Sequence, residues 1–128
     1  MNKYQKGARF ERDIIRKFWA HGWSAIRAAG SGSIGFPVPD VIAIKSGKIL
    51  IIECKTSRKE KLNVKKAVLE LKKFSDISSG DAFIAIKFHK GSPRFYSIEE
   101  LMSRKNYSVS VTDRYLSLEA LIAHQLTL

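Results

Sequence analysis

Apolar residues recur at Phe10, Ile14, Ile15, Phe18 and Trp19, a spacing that predicts a helix over Ala8 to Ala20 with one inward stripe. Gly22, just after His21, suits the C-cap of that helix. Trp23 to Ala28 reads as a strand. Two apolar, mostly β-branched runs follow, Val41-Ile42-Ala43-Ile44 and Ile49-Leu50-Ile51-Ile52, and Lys45-Ser46-Gly47-Lys48 between them predicts a tight hairpin turn. Helical spacing returns at Val64, Ala67, Val68, Leu71 and Phe74. Ala82 to Phe88 is a further apolar strand, Arg94 to Ser97 another, and Ile98 to Met102 a short helix. Tyr107 to Thr112 alternates weakly, as an edge strand does. Ser117 is placed to cap a last helix through Gln125, with Leu118, Leu121, Ile122 and Gln125 in register and Glu119 in the first turn. This order predicts an α/β fold in which a central mixed sheet is flanked by helices. No repeat, low-complexity tract or linker divides the 128 residues, so one domain spans 1–128.

The hairpin brings candidate chemistry together. If Lys45 pairs with Lys48, each step outward adds one residue per strand, so Ile44 meets Ile49 and Asp40 meets Glu53. Opposed residues share a face with Cβ atoms about 5 Å apart. Lys55 shares that face and Cys54 points the other way. A one-residue bulge at Gly47 would shift the pairing. Two carboxylates this close repel unless one keeps a proton or a cation lies between them. A hard divalent ion such as Mg²⁺ resolves the conflict and activates water, while the lysine neutralises charge on a phosphodiester. The same spacing equally suits a surface ion pair between Lys55 and either acid.

Glu11 is a third acid, on the inward edge of the first helix rather than with Arg9, Arg12, Asp13, Arg16 and Lys17 on the wet face. Half-buried glutamates at stripe edges are also common, and a metal at the hairpin would explain both position and charge.

Charge then changes the picture. There are 23 Lys and Arg against 12 Asp and Glu, a formal net charge of +11. Such a field attracts polyanions and makes binding salt-dependent, without itself implying catalysis. Arg58, Lys59, Lys61, Lys65, Lys66 and Lys72 follow directly on Lys55. A solvated helix face is the usual meaning of such a run; its attachment to the acid-bearing strand favours phosphate tracking. The Gly30 to Gly35 stretch is too glycine-rich to be regular. Plain connectors are the commoner case, and its path from Arg27 into the acids favours a segment that closes over a DNA backbone. His21, His89 and His124 share no metal-ligand spacing, and Trp19 and Trp23 are expected in the core. One cysteine permits no intramolecular disulfide, no secretory h-region opens the chain, and no run approaches the roughly 20 apolar residues that span a bilayer. An intracellular, cytoplasmic and nucleoid-associated protein is expected.

Lys6-Gly7-Ala8-Arg9-Phe10-Glu11-Arg12, Arg27-Ala28-Ala29-Gly30-Ser31-Gly32-Ser33, Pro39-Asp40 and Glu53-Cys54-Lys55-Thr56 together resemble the archaeal Holliday junction resolvases, members of the PD-(D/E)xK nuclease superfamily. The resemblance covers roughly residues 3 to 90. It implies a restriction-endonuclease-like core and Mg²⁺, with Mn²⁺ as a substitute, held by Glu11, Asp40, Glu53 and the backbone carbonyl of Cys54. It makes Lys55 the catalytic lysine and Ser31 a loop serine needed for cleavage. It matches Arg12, Arg27, Ser31, Phe74 and Lys87 to family positions at the DNA or the active site, and Lys6, Arg9, Arg58, Lys59 and Lys61 are the further cations expected against DNA. Cys54 stands where the family pattern suggests a plain aliphatic residue, and a small hydrophobe is its expected role.

The activity implied is resolution of four-way junction DNA by paired symmetrical hydrolysis, with a 5′-phosphate and a 3′-hydroxyl left behind. Two related cuts imply a homodimer, for which the C-terminal helix and the strand around Phe95-Tyr96 offer an apolar patch. Replication or repair proteins are further candidate partners, and a membrane is not. The alternatives are another PD-(D/E)xK endonuclease acting on linear or branched duplex, a non-catalytic basic DNA-binding module, and an architectural DNA protein.

Overall fold

The computed structural model describes residues 3–28, 35–89 and 91–126. Along the chain run α1 (Lys3–Ala20), β1 (Ser24–Arg27), β2 (Val41–Lys45), β3 (Lys48–Ser57), β4 (Lys61–Asn63), α2 (Lys65–Ser78), β5 (Asp81–Phe88), β6 (Arg94–Ser97), α3 (Ile98–Ser103), β7 (Ser108–Ser110) and α4 (Leu118–Leu126). Five strands form one mixed sheet in the order β1-β2-β3-β5-β6. All neighbours are antiparallel except β3 and β5, which pair in parallel through the α2 crossover.

Alternation along the strands sends side chains to two cores. Val41, Ala43, Leu50, Ile52, Phe83 and Ala85 pack with Phe10, Ile14 and Phe18 of α1 and with Leu118, Leu121 and Ile122 of α4. Ile51, Ala82, Ile84 and Ile86 pack on the opposite face with Val68 and Leu71 of α2 and with Ile98 and Leu101 of α3. The interior strand β5 is therefore apolar on both faces, with five consecutive buried residues. Ser117 Oγ accepts the Ala120 backbone N–H at 3.0 Å, as the expected cap of α4.

Three expectations change. Trp23 is buried edge-to-face against Phe18, with ring centroids 5.9 Å apart, but Trp19 is 58% exposed. At 100° per residue Trp19 falls beyond the stripe centred on Ile14 and Phe18, and only its indole N–H is tied down, donating to the Ala25 carbonyl at 3.0 Å. The edge strand near residue 107 shrinks to β7, which pairs with β4 and not with the central sheet. Phe95 and Tyr96, with Leu118, Leu121 and Ile122, are buried within the protomer, so they supply no surface patch for a second copy.

Candidate active site

The hairpin turn is as tight as its sequence suggests. Ser46 (φ 51°) and Gly47 (φ 80°) are both left-handed, the geometry of a two-residue turn whose twist matches the strands. The register runs from Lys45↔Lys48 through Ile44↔Ile49 to Val41↔Ile52, so the next rung sets Asp40 against Glu53. The Asp40 backbone N–H donates to Glu53 Oε1 at 3.2 Å, and the Cys54 N–H donates to Asp40 Oδ2 at 2.9 Å. Ala28 N–H holds the Asp40 carbonyl at 2.9 Å, which ties the end of β1 to the acid pair.

Burial, then the hydrogen bond and charge of Asp40, push Glu53 from 4.5 up to about 8, against the opposing charge of Lys55. Without a cation the pair therefore keeps a proton at neutral pH. Lys55 is two residues beyond Glu53 on the same face, while Cys54 turns to the α1 side and packs against that core. Burial and the charges of Asp40, Glu11 and Glu53 raise the Cys54 thiol well above its usual value, which keeps it neutral.

Glu11 approaches from α1, on the other side of the sheet. Its carboxylate accepts from Arg27 Nε at 2.9 Å, the two side chains being 15% and 18% exposed. Burial and the charge of Asp40 raise Glu11, while Arg27 and Arg12 oppose the rise. Asp40 thus lies within electrostatic reach of both other acids. Among the described residues no three His, Cys, Asp or Glu side chains converge as a ready metal cage. The Asp40-Glu53 pair nevertheless fits a hard divalent ion: its donors are all oxygen, and its two carboxylates are held close enough to retain a proton.

A groove of about 990 Å³ opens between the N-terminal half of α1 and the ends of β3 and β5, reaching Phe10 and Thr56, the sequence neighbours of Glu11 and Lys55, but not Glu11, Asp40, Glu53 or Lys55 themselves. Lys6, Arg9, Arg58, Lys59 and Lys87 line it and are exposed, with Phe10, Leu62 and Phe88 as apolar wall. Thr56, Ser57 and His89 line it too. These three escaped sequence reasoning because the parallel rungs Thr56↔Lys87 and Ser57↔Phe88 follow no local turn rule. Other expected DNA contacts lie elsewhere. Arg12 is exposed beside Glu11, Arg27 is engaged by Glu11, Lys61 sits on β4 near Asp113, and Phe74 packs half-buried against the α2-side core. Ser31 lies outside the described residues.

Comparison with known proteins agrees with this geometry. The profile of the archaeal Holliday junction resolvase (Hjc) family matches residues 2–127. A crossover junction endodeoxyribonuclease Hjc of Methanocaldococcus jannaschii is 43% identical over 89 residues, spanning 69% of this chain and 63% of that protein. The Hjc of Archaeoglobus fulgidus is 34% identical over 116 residues, 89% of this chain and 85% of that protein. The solved structure of A. fulgidus Hjc superposes with a TM-score of 0.78 at 30% identity, covering 91% of this chain and 98% of that one. With acids, lysine and groove all inside the matched span, the chain belongs to the archaeal Holliday junction resolvase family.

Proposed function

We propose that this protein is a metal-dependent endodeoxyribonuclease that resolves four-way DNA junctions, acting as a homodimer with one strand cut per protomer. The contact between Asp40 and Glu53, with Glu53 pushed up to about 8, carries the reading: an acid pair so arranged is destabilised until a cation joins it. Asp40 and Glu53 would hold Mg²⁺, or Mn²⁺ in its place, with Glu11 and the Cys54 carbonyl as further ligand candidates. When bound, such an ion neutralises charge on the phosphoryl oxygens and lowers the pKa of water.

The chain's own residues do the rest. The Cys54 N–H fixes one oxygen of Asp40, so the other is aimed without loss of rotamer freedom at the moment of reaction. Lys55 sets a positive charge beside Glu53, where it stabilises negative charge developing on the scissile phosphate. Arg27 orients Glu11 and opposes the rise that burial and Asp40 impose on its carboxyl. Lys6, Arg9, Arg58, Lys59 and Lys87 grip the phosphate backbone, which positions a duplex arm without reading bases. Selectivity then comes from junction shape, and hydrolysis leaves a 5′-phosphate and a 3′-hydroxyl.

The test compares a synthetic four-way junction with linear duplex of the same sequence, in Mg²⁺ and in EDTA. Paired symmetrical nicks in the junction, dependent on Mg²⁺, are expected. Equal cutting of linear duplex would overturn the junction reading, and tight binding without metal-dependent cuts would overturn the enzyme.

A further inference from the structure

Behind the groove wall three side chains stack. Arg94 opens β6, and its guanidinium carbon lies 5.4 Å from the centroid of the Phe88 ring and 4.4 Å from that of Tyr115. Phe88 is buried and lines the groove, whereas Tyr115 is 48% exposed. Single exposed aromatics are ordinary on a protein surface, but the segment that carries this one is fastened at both ends. At its start the Val111 N–H donates to the Glu60 carbonyl at 2.9 Å, and the Val111 carbonyl accepts from Arg94 Nη1. At its end Phe95 and Leu116 exchange both backbone hydrogen bonds, at 2.8 and 3.0 Å. Tyr115 therefore meets solvent from a fixed backbone, with one cation already against its ring.

Charge and position around the ring suit a nucleotide. Arg114 beside it is exposed, and Arg58, Lys59, Lys87 and His89 line the groove together with Phe88. The nearest acid in sequence, Asp113, is engaged by Arg104 at 2.8 Å and by the Ser110 N–H at 2.8 Å. Lys55, Ile86 and Arg94 are successive rungs across β3, β5 and β6, and Leu116 pairs with Phe95 on the outer edge of β6. Neighbouring strands lie about 4.8 Å apart, so three spacings place the Tyr115 segment about 14 Å across the sheet from Lys55. At a rise of about 3.4 Å per base that is about four base steps. The ring is close to the strand being cut and clear of the scissile phosphate.

An exposed ring with one cation behind it and another beside it is the chemistry that takes an unstacked nucleobase: the base stacks on the ring while the cation beside it neutralises the adjoining phosphate. Because the ring is already held, stacking costs little further ordering. Bases in a linear duplex are stacked on both sides, whereas those bordering a branch point lack one continuous neighbour and leave the stack at lower cost. We propose that Tyr115, held by Arg94, is a specificity-determining residue that takes an unstacked base beside the branch point, with Arg114 on the adjoining phosphate. The inference rests on the reading of the protein as a junction-cutting enzyme and names the part of the junction it recognises: groove cations position an arm, and the ring detects the branch. A purely structural clamp between β6 and the segment before α4 is the competing role. It predicts that every DNA is bound less well without Tyr115, where the base site predicts a loss of discrimination.

The test is affinity for a four-way junction and for linear duplex of the same sequence, by fluorescence anisotropy in EDTA, for wild type, Tyr115→Leu, Tyr115→Phe and Arg114→Ala. Tyr115→Leu is expected to weaken junction binding on the order of 10-fold while leaving duplex binding and the salt slope unchanged. Tyr115→Phe, which keeps the ring, is expected to bind as wild type. Arg114→Ala is expected to lower the salt slope for the junction by about 1. Wild type on a junction carrying 5-iododeoxyuridine beside the branch point should cross-link at Tyr115 under long-wavelength ultraviolet light, read by mass spectrometry of the peptide, and the same label in mid-arm should not. That readout needs no variant, so it stands should the leucine protein misfold. Junction affinity that is unchanged in Tyr115→Leu, or lowered equally with duplex affinity, or a wild type that does not cross-link at Tyr115, would overturn the base site; paired Mg²⁺-dependent nicks by the same wild type would leave the enzyme reading standing. A branch-specific cross-link at Tyr115 in a protein that cuts nothing in Mg²⁺ would leave the base site standing and overturn the enzyme reading.

Discussion

Glu53 makes the stability of the metal-free protein depend on pH in an unusual direction. Its folded-state pKa is raised from 4.5 to about 8, so the folded chain holds a proton that the unfolded chain releases. The associated stability is fully present below pH 4.5 and is lost as pH rises through 8. One pKa unit is worth about 1.4 kcal/mol, so an isolated group with this shift would cost the folded state roughly 4 kcal/mol by pH 7.5. Solvent still reaches the half-buried carboxyl and screens it, so ~2 kcal/mol is expected. Glu11 is shifted the same way and adds to it. Rising pH also relieves repulsion within a +11 chain, which acts in the opposite sense, so the informative quantity is the difference between wild type and Glu53→Gln. Thermal unfolding in EDTA from pH 5 to 8.5 should show wild type losing ~6–10 °C relative to Glu53→Gln. Adding Mg²⁺ at pH 8 should restore wild type and leave the glutamine variant unmoved. Parallel profiles for the two proteins in EDTA would refute the buried acid pair.

Further outcomes follow from the same geometry. Lys55→Ala should lower turnover on the order of 10²-fold at saturating metal, with the midpoint of a Mg²⁺ titration unchanged; a shifted midpoint with normal turnover would reassign the lysine to metal affinity. Arg58→Ala and Lys87→Ala should each weaken junction binding and reduce its salt slope by about 1, measured by fluorescence anisotropy between 50 and 200 mM salt; unchanged slopes would take DNA out of the groove. Arg27→Ala should leave Glu11 half-buried and unpaired at a cost of about 1–3 kcal/mol in urea unfolding, with little change in salt slope. An unaltered unfolding midpoint with a reduced slope would make Arg27 a phosphate contact instead.

The hairpin was legible because a two-residue turn converts counting into register: once Lys45 meets Lys48, Asp40 and Glu53 follow. Glu11 was legible as an acid on an apolar stripe, and Cys54 as an inward small hydrophobe. Its partner Arg27 was not, since an ion pair between α1 and β1 depends on how the helix crosses the sheet. The parallel pairing of β3 with β5, which builds the groove, obeys no short-range rule. β7 lies inside the weak alternation of Tyr107 to Thr112, but its three-residue partner β4 is too short to register as periodicity. Phe95, Tyr96 and the apolar face of α4 looked like surface only because sequence pattern marks apolarity and not which neighbour covers it.

The most direct measurement of the central claim is cleavage of a four-way junction in Mg²⁺ by wild type beside Asp40→Asn. That substitution keeps the shape of the side chain and removes the charge that a cation requires and that pushes Glu53 up. Paired symmetrical nicks with wild type, together with intact junction bound at similar affinity by the variant, are the predicted result. Wild-type rates of cleavage by Asp40→Asn would contradict the account, because the chemistry would then lie away from the Asp40-Glu53 pair.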